Sequence, residues 1–413
     1  LIEPREKTGT ADAIGEIRRA LNEPIGCSKL AEMLKPYSKV AIVVDDATRP
    51  TLTQLMVGGV LEVLNQAGVP NENVTIIFAC GTHRPVTQEE AVTLLGEQVF
   101  TRVRSVSHDC KAQDLVDVGT TAKTGNRVRV NRAYSEADVK VLTGDVSFHC
   151  YAGYGGGRKS ILPGICGEET IRHNHALLLS ANAKTGVLDG NPVHEDMVEA
   201  AELAKTDFVL NVVTNGKGEL VRAFAGDLRQ AFSEGVKLVD EMFRCTVDRR
   251  ADIVVAGAGG NPADTSLFQA YKAVDSALEV VKRGGVIVLV AECPEGHGNQ
   301  AFYDWMVKLG DLRAVEKEIK RHFVAGGPVA YYLLKALQNH QIILVSSMPD
   351  YYAANIFKVK TARAVNDALN MAFEIAGSSA KAWAMPYSNL TLPEIRVVEE
   401  TVKLPEVAEA VGA

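Results

Sequence analysis

The stretch VAIVVDDATRPTLTQLMVGGVLEVLNQAGVPNENVTIIFACGTHRP, residues 40–85, decides the fold. It opens on VAIVVD (40–45), a β-branched run without polar alternation, as a strand covered on both faces requires. From Thr51 to Gly68 the side chains of Leu52, Leu55, Met56, Val60, Val63 and Leu64 recur at helical spacing, and Gly68 is a C-terminal stop. VTIIFA (74–79) is a second strand. Strand, helix and strand in this order are the alternation of a parallel α/β fold.

Working outward, the same kind of run returns in VKVLTG (139–144), FVLNVV (208–213), DIVVAG (252–257), VIVLVA (286–291) and IILVSS (342–347). DTSLFQAYKAVDSALEVVK (264–282) reads as a helix capped by Asp264 or Thr265. The polar, basic stretch RCTVDRR (244–250) separates two sets of strands and suits a linker. The prediction is an α/β fold of two domains, residues 1–247 and 248–380, each with a largely parallel sheet flanked by helices. Residues 381–413 are expected to form a helical tail that packs back on the N-terminal domain.

A length of 413 residues suits two cores, and 46% hydrophobic with 23% charged residues is a globular balance. The net charge of -7 disfavours nucleic acid as a partner while leaving room for one small anionic ligand. Seven cysteines are scattered singly without CxxC pairs, the pattern of a reducing compartment. LIEPREKTGT at the start has no apolar core of the kind a signal peptide needs, and no apolar run approaches a membrane span. A cytoplasmic location and no membrane association are expected. A homo-oligomer is left open.

In parallel sheets, ligands bind beyond the carboxyl ends of the strands. Those ends carry DDATRP, GTHRP and, after residue 144, the run FHCYAGYGGGRKSILPG (148–164). Six of the nine histidines fall between 83 and 194. A lone histidine is ordinarily a surface or core residue, but His83 and His149 each follow a strand with glycine nearby. Histidine also exchanges a proton near neutrality. His173 and His175 are two residues apart, so on a helix their rings diverge and at most one is a metal ligand. Arg49 precedes a proline and is held extended, suited to a carboxylate or phosphate; pairing with Asp45 or Asp46 is the plainer alternative. Gln269 and Lys272 share one helix face, which by itself reads as solvated. The glycine run fails the phosphate-loop pattern because Arg158 stands where glycine should precede Lys159, and no GxGxxG follows an early strand.

Together, DDATRP, GTHRP, FHCYAGYGGGRKSILPGI, IRHNHA, GNPVHED and FQAYK resemble the nickel-dependent lactate racemases and their relatives that act on other 2-hydroxy acids. The resemblance spans residues 45 to about 272. It implies an isomerase, a racemase or 2-epimerase of a 2-hydroxy acid, working by reversible hydride transfer. Its cofactor would be a nickel pincer nucleotide, a pyridinium-3-thioamide-5-thiocarboxylic acid mononucleotide, attached covalently at Lys159. His175 would complete the nickel site, and Asp46, Gly156 and Gly157 would lie at the cofactor, the glycines leaving room for a flat nucleotide. His83 and His149 would be the acid/base pair, and Arg49, Gln269 and Lys272 would bind substrate. The 1–247 domain would then bind the cofactor and carry the catalysis, the second domain would add substrate-binding residues, and the site would lie in the cleft between them. Cofactor-biosynthesis proteins become partners. Two positions depart from the pattern: Phe268 replaces an expected tyrosine, and Tyr154 with an extra glycine stands where a serine is common. They leave lactate, a larger hydroxy acid or a sugar acid open as substrate. The competing readings are a non-catalytic carrier of the nucleotide and a nicotinamide-dependent oxidoreductase.

Overall fold

The computed structural model of the chain describes residues 1–49 and 51–396. Its first sheet has six strands: β1 (Val40–Asp45), β2 (Val74–Ala79), β3 (Arg104–Ser107), β4 (Val139–Asp145), β5 (Phe208–Thr214) and β6 (Leu220–Gly226). Their order is β6-β5-β4-β1-β2-β3, with only β6 antiparallel to its neighbour. β1 explains why its run is continuously apolar. Val40, Ile42 and Val44 enter one core and Ala41 and Val43 the other, on opposite faces of the sheet. The chain builds outward from β1 through β2 and β3, then returns to add β4 and β5 on the other side. The crevice between the ends of β1 and β4 is therefore the topological switch point, where such sheets bind ligands.

After β7 (Arg244–Val247), a second sheet is formed by β8 (Ala251–Gly257), β9 (Val281–Val290), β10 (Gln341–Val345), β11 (Lys360–Ala362) and β12 (Ala382–Met385). It is parallel throughout, in the order β11-β10-β9-β8-β12. The α/β architecture thus agrees with the sequence. The expected helical tail does not: β12 and β13 (Leu392–Ile395) are strands where a helix was predicted, and 397–413 lie outside the described residues. β13 pairs with β7, so part of the presumed linker is itself a parallel ladder. Hydrogen bonds from the edges of β7 and β8 stabilise these short segments more than the helical propensity of their residues would.

Helices that bear on the site are α1 (Thr53–Gln66), α2 (Arg158–Ile161), α3 (Glu168–Ala176), α4 (Pro192–Leu203), α5 (Leu267–Leu278) and α6 (Gly327–Leu337). One apolar core runs from Ala41, Val43 and Leu142 through Ala270 and Val274 of α5 to Val254, Ile287 and Leu289 of the second sheet. The two sheets are consequently joined through α5, which carries Gln269 and Lys272.

Candidate active site

At the end of β1 the chain turns on Asp46. The Thr48 N–H and hydroxyl donate to Asp46 Oδ1 at 3.1 and 2.5 Å, and the Arg49 N–H donates to the Asp46 carbonyl at 3.2 Å. Such side-chain capture of the backbone is why aspartate suits a strand exit. The other carboxylate oxygen, Oδ2, meets His83 Nδ1 at 2.7 Å. Burial alone would raise the Asp46 pKa, but the bonds from His83 and Thr48 outweigh it and hold the carboxyl below its usual range. An Nδ1–H given to a carboxylate leaves Nε2 of His83 as the free acceptor. That ring is exposed at the rim of the crevice.

β4 leads into a tight hairpin in which Phe148–His149 pairs with Gly153–Tyr154. The Ala152 N–H donates to His149 Nδ1 at 3.4 Å. Burial first, then the charges of Lys159, Arg49, His175 and Lys272, push the His149 imidazole well below its ordinary pKa. All four groups therefore act on the space around His149, and the ring is neutral at physiological pH. Because β1 lies between β2 and β4, the loop bearing Asp46 and Arg49 runs between the loops bearing His83 and His149.

Beyond the hairpin, the glycine run packs flat on the sheet. A Cβ on Gly144 would stand 3.0 Å from Gly157 N, and one on Gly156, whose φ is +100°, would stand 3.0 Å from Val146 Cγ2 and 3.1 Å from the Phe232 ring. On Gly157 it would reach Asn211 Oδ1 at 3.3 Å. The side from which these glycines lack a side chain is filled by protein, so close packing on β4 and β5 requires them. Room for a nucleotide on that side is not the reason. Gly157 N–H is in turn held by Asn211 Oδ1 at 2.8 Å.

In the four-residue α2, Arg158 and Ser160 are buried and Lys159 is half-buried. Lys159 Nζ stands 5.9 Å from the centroid of the Tyr151 ring. Burial, followed by the Arg49 and Arg158 charges, lowers the lysine well below its ordinary pKa. Next to it, Asp45 is pushed up to about 6, chiefly by burial, with Arg49 opposing and Asp145 adding to the rise. Asp45 entered the sequence reading only as a possible partner of Arg49 and Asp145 not at all, although each is the last residue of a strand entering the crevice.

The two histidines of α3 separate as their spacing requires. His173 Nε2 bonds the Thr124 carbonyl at 3.0 Å, whereas His175 is 4% exposed and its Nδ1 finds no hydrogen-bond partner among the described residues. The Ile171 carbonyl, one turn back, influences that ring electrostatically without reaching bonding geometry. Burial, with Lys159 second, holds the imidazole down to about 3. A chain of edge-on rings connects the elements: His149 to Tyr151 at 4.5 Å, Tyr151 to His175 at 5.5 Å, and His175 to Phe323 of the second domain at 4.6 Å.

GNPVHED supplies a supporting layer whose roles sequence reasoning missed. Asn191 caps α4 and donates Nδ2 to the Tyr151 carbonyl at 2.9 Å. His194 Nδ1 accepts from Arg158 Nε at 2.8 Å. Asp196, fully buried, accepts from Thr121, Asn126 and Asn174 at 2.8, 2.8 and 2.9 Å, and also from Thr124. The motif thus holds the neighbours of His149, Lys159 and His175 in turn.

From the second domain, α5 begins at Ser266, whose hydroxyl accepts from Gln269 N–H at 3.4 Å; the expected caps Asp264 and Thr265 lie just outside. Lys272 keeps an open face, yet surrounding protein and then Arg49 lower its pKa. Gln269 is half-buried one turn earlier. Asp275 accepts from Thr185 Oγ1 at 2.6 Å and so fastens α5 to the first domain. Among the described residues no three His, Cys, Asp or Glu side chains are grouped to hold a metal, and no helix is long and apolar enough to cross a membrane.

Residues 1–186 match the lactate racemase N-terminal domain and residues 247–388 the lactate racemase C-terminal domain. Over 378 residues the chain is 33% identical to a lactate racemase of Thermoanaerobacterium thermosaccharolyticum and 31% identical to one of Lactiplantibacillus plantarum. Each match covers 90% of this chain and 88% of the relative. The apoprotein structure of the Thermoanaerobacterium thermosaccharolyticum lactate racemase superposes with a TM-score of 0.87 at 31% identity, covering 96% of this chain and 94% of that one. A Thermotoga maritima protein shares the fold at a TM-score of 0.69 and 21% identity, over 96% of this chain and all of the other. The chain belongs to the lactate racemase family and is an isomerase of the racemase type.

Proposed function

We propose that the chain inverts C2 of a small 2-hydroxy acid, lactate being the first substrate to test, with a nickel pincer nucleotide attached at Lys159. The observation that carries this reading is the crevice at the β1/β4 switch point, where His149 is held neutral among Lys159, Arg49, His175 and Lys272. A hydroxy acid brings a carboxylate, which Arg49 and Lys272 are suited to hold, and a hydroxyl whose proton a neutral imidazole accepts.

The residues present fit the cofactor. Lys159 has its amine lowered well below the ordinary lysine range, as a nucleophile needs. His175 is a buried, neutral imidazole whose Nδ1 has no partner among the described residues. With no three-ligand protein cluster among the described residues, a metal would take its remaining ligands from the bound group. When bound, the nickel pincer nucleotide supplies a reversible hydride acceptor.

The protein's own part is proton handling and orientation. Arg49 and Lys272 fix the carboxylate, with Gln269 beside them. One of the two histidines takes the hydroxyl proton as C2 becomes planar. The other returns a proton when the opposite face is rebuilt. Asp46 keeps the His83 tautomer with Nε2 facing substrate. Loops on either side of the β1 loop suit two bases that serve opposite faces.

The test is intact mass, nickel content and optical rotation on protein made in a host that synthesises the cofactor. An adduct on Lys159, about one nickel per chain as one cofactor site implies, and loss of rotation from single-enantiomer lactate are expected. Unmodified lysine without nickel from such a host would overturn the reading. Rotation lost only with larger 2-hydroxy acids would keep the reaction and replace the substrate.

A further inference from the structure

Among the described residues, no carboxylate meets the positive charge that Arg158 brings into the core. Its side chain is 1% exposed. Nε donates to His194 at 2.8 Å, Nη1 to the Gly155 carbonyl at 2.9 Å, and Nη2 to the Ala152 and Tyr154 carbonyls at 3.1 and 2.9 Å. The guanidinium carbon lies 4.2 Å from the Phe232 ring centroid. Its hydrogen bonds are satisfied by dipoles and a ring face, while its charge is left standing. Isolated buried charge is costly, and proteins ordinarily remove the cost with an acidic partner. Even lowered to about 9 by burial, this guanidinium is charged at neutral pH.

The next residue is Lys159. Arg158 is tied to three carbonyls of the glycine run, and the Ser160 hydroxyl is tied to the Thr143 carbonyl at 2.7 Å. With both neighbours anchored inward on a short helix, Lys159 is the side chain left to leave the core. We propose that Arg158 is the positioning residue for Lys159: it pins the glycine run from inside and, as an un-neutralised charge, keeps the lysine amine available as a nucleophile. This rests on Lys159 being the attachment residue.

Attachment to an activated acyl or thioacyl carbon starts from the amine lone pair. A C–N bond forms, the leaving group departs with its bonding pair, and the amine gives up a proton to water. An ordinary lysine is the free amine in only about one part in a thousand near pH 7.5. Around Lys159 stand Arg49 and Asp45 from β1, His149 and Cys150 from the hairpin, His175 from α3, and Arg158. Arg49 and Arg158 favour the neutral amine; Cys150 and Asp45 oppose it. Arg49 is exposed and free to move onto substrate, whereas Arg158 is fixed.

Trace acetylation with acetic anhydride tests this on the full chain purified without cofactor, with Lys159 read by mass spectrometry against the exposed Lys29. In the wild type, Lys159 should out-react Lys29 by about tenfold or more at pH 7.5, because more of its amine is unprotonated. Arg158→Gln should lose about that tenfold at pH 7.5 and match the wild type at pH 10.5. Arg158→Lys keeps the charge but not the fork of hydrogen bonds, so any loss it shows should be equal at the two pH values. Wild-type reactivity in the Gln variant at pH 7.5, or an equal loss at both pH values, would overturn the proposal. Should the Gln variant not fold, an about tenfold loss in the Lys variant at pH 7.5 that disappears at pH 10.5 does the same, because that variant keeps the charge. None of these outcomes requires the cofactor, so they stand apart from the adduct test above.

Discussion

The Asp46 carboxylate and the His83 imidazole meet at 2.7 Å although they are 37 residues apart, because β1 and β2 are adjacent parallel strands that end at the same level. The contact assigns the proton: Nδ1 donates, which leaves Nε2 for the base role proposed above. Asp46→Asn keeps the shape but presents an amide that favours the other tautomer. Racemisation should fall by about 10²- to 10⁴-fold, with the Lys159 adduct and nickel retained. Loss of the adduct itself would mean that Asp46 serves the cofactor and not the base. Since the folded pKa of Asp46 is lowered, its contribution to stability is full above the ordinary carboxylate range and is lost as pH falls through the folded value.

Asp275 shows the opposite sign. Burial, opposed by the Thr185 bond, pushes it up to about 6. A raised carboxyl favours the folded state most at low pH, where both states are protonated, and that advantage is lost as pH rises through about 6. Asp275→Asn keeps an acceptor for Thr185 without the charge. Its Tm should decline less between pH 4 and 6.5 than that of the wild type, a part of the slope persisting through Asp45, which is also raised to about 6. Parallel Tm curves for the two proteins would show that Asp275 is charged throughout.

The strands that were legible are those whose two faces are both covered. β1, β2, β4, β5, β8, β9 and β10 are mostly apolar because both of their faces are covered, with Lys140, Thr143 and Asn211 as buried polar exceptions. β6, with Arg222 turned out, and β12, with Lys381 and Trp383 at its edge, follow a mixed pattern, and pairing to a neighbour makes them strands. Strand exits pointed to His83, Arg49, Asp46 and His149 as candidates, and the rings of His173 and His175 diverge as their spacing requires. The support layer was illegible for a different reason. Asp196 reaches Thr121 and Asn126 across 75 and 70 residues, and no local spacing encodes such a meeting. Lys272 looked like a solvated face because a cleft and open solvent leave the same helical pattern.

Tyr271 and Tyr332 stack at 6.4 Å between α5 and α6, and each buries a hydroxyl that has no partner among the described residues. Removing such a hydroxyl while keeping the ring costs nothing in lost bonds. Tyr271→Phe should leave stability unchanged or raise it by up to about 1 kcal/mol in urea unfolding, whereas Tyr271→Ala should cost roughly 3 to 5 kcal/mol. A loss above about 1 kcal/mol in the Phe variant would show that the hydroxyl is bonded in solution.

Asp196 and His175 separate support from ligation. His175→Ala removes one imidazole from the crevice wall, so nickel should be lost while the adduct on Lys159 and the overall stability persist. Asp196→Ala instead strands the donors of Thr121, Asn126 and Asn174 in the core, at roughly 1 to 3 kcal/mol each if none finds water. Asn174 then keeps only its bond to the Val193 carbonyl, and its neighbour His175 is expected to shift with α3. This variant should lose both stability and nickel, and Asp196→Asn, which keeps one acceptor oxygen, should fall between the two. Unfolding curves and nickel content on the same preparations decide it. Full nickel in a destabilised Asp196→Ala protein would mean that the network holds the fold without positioning the ligand.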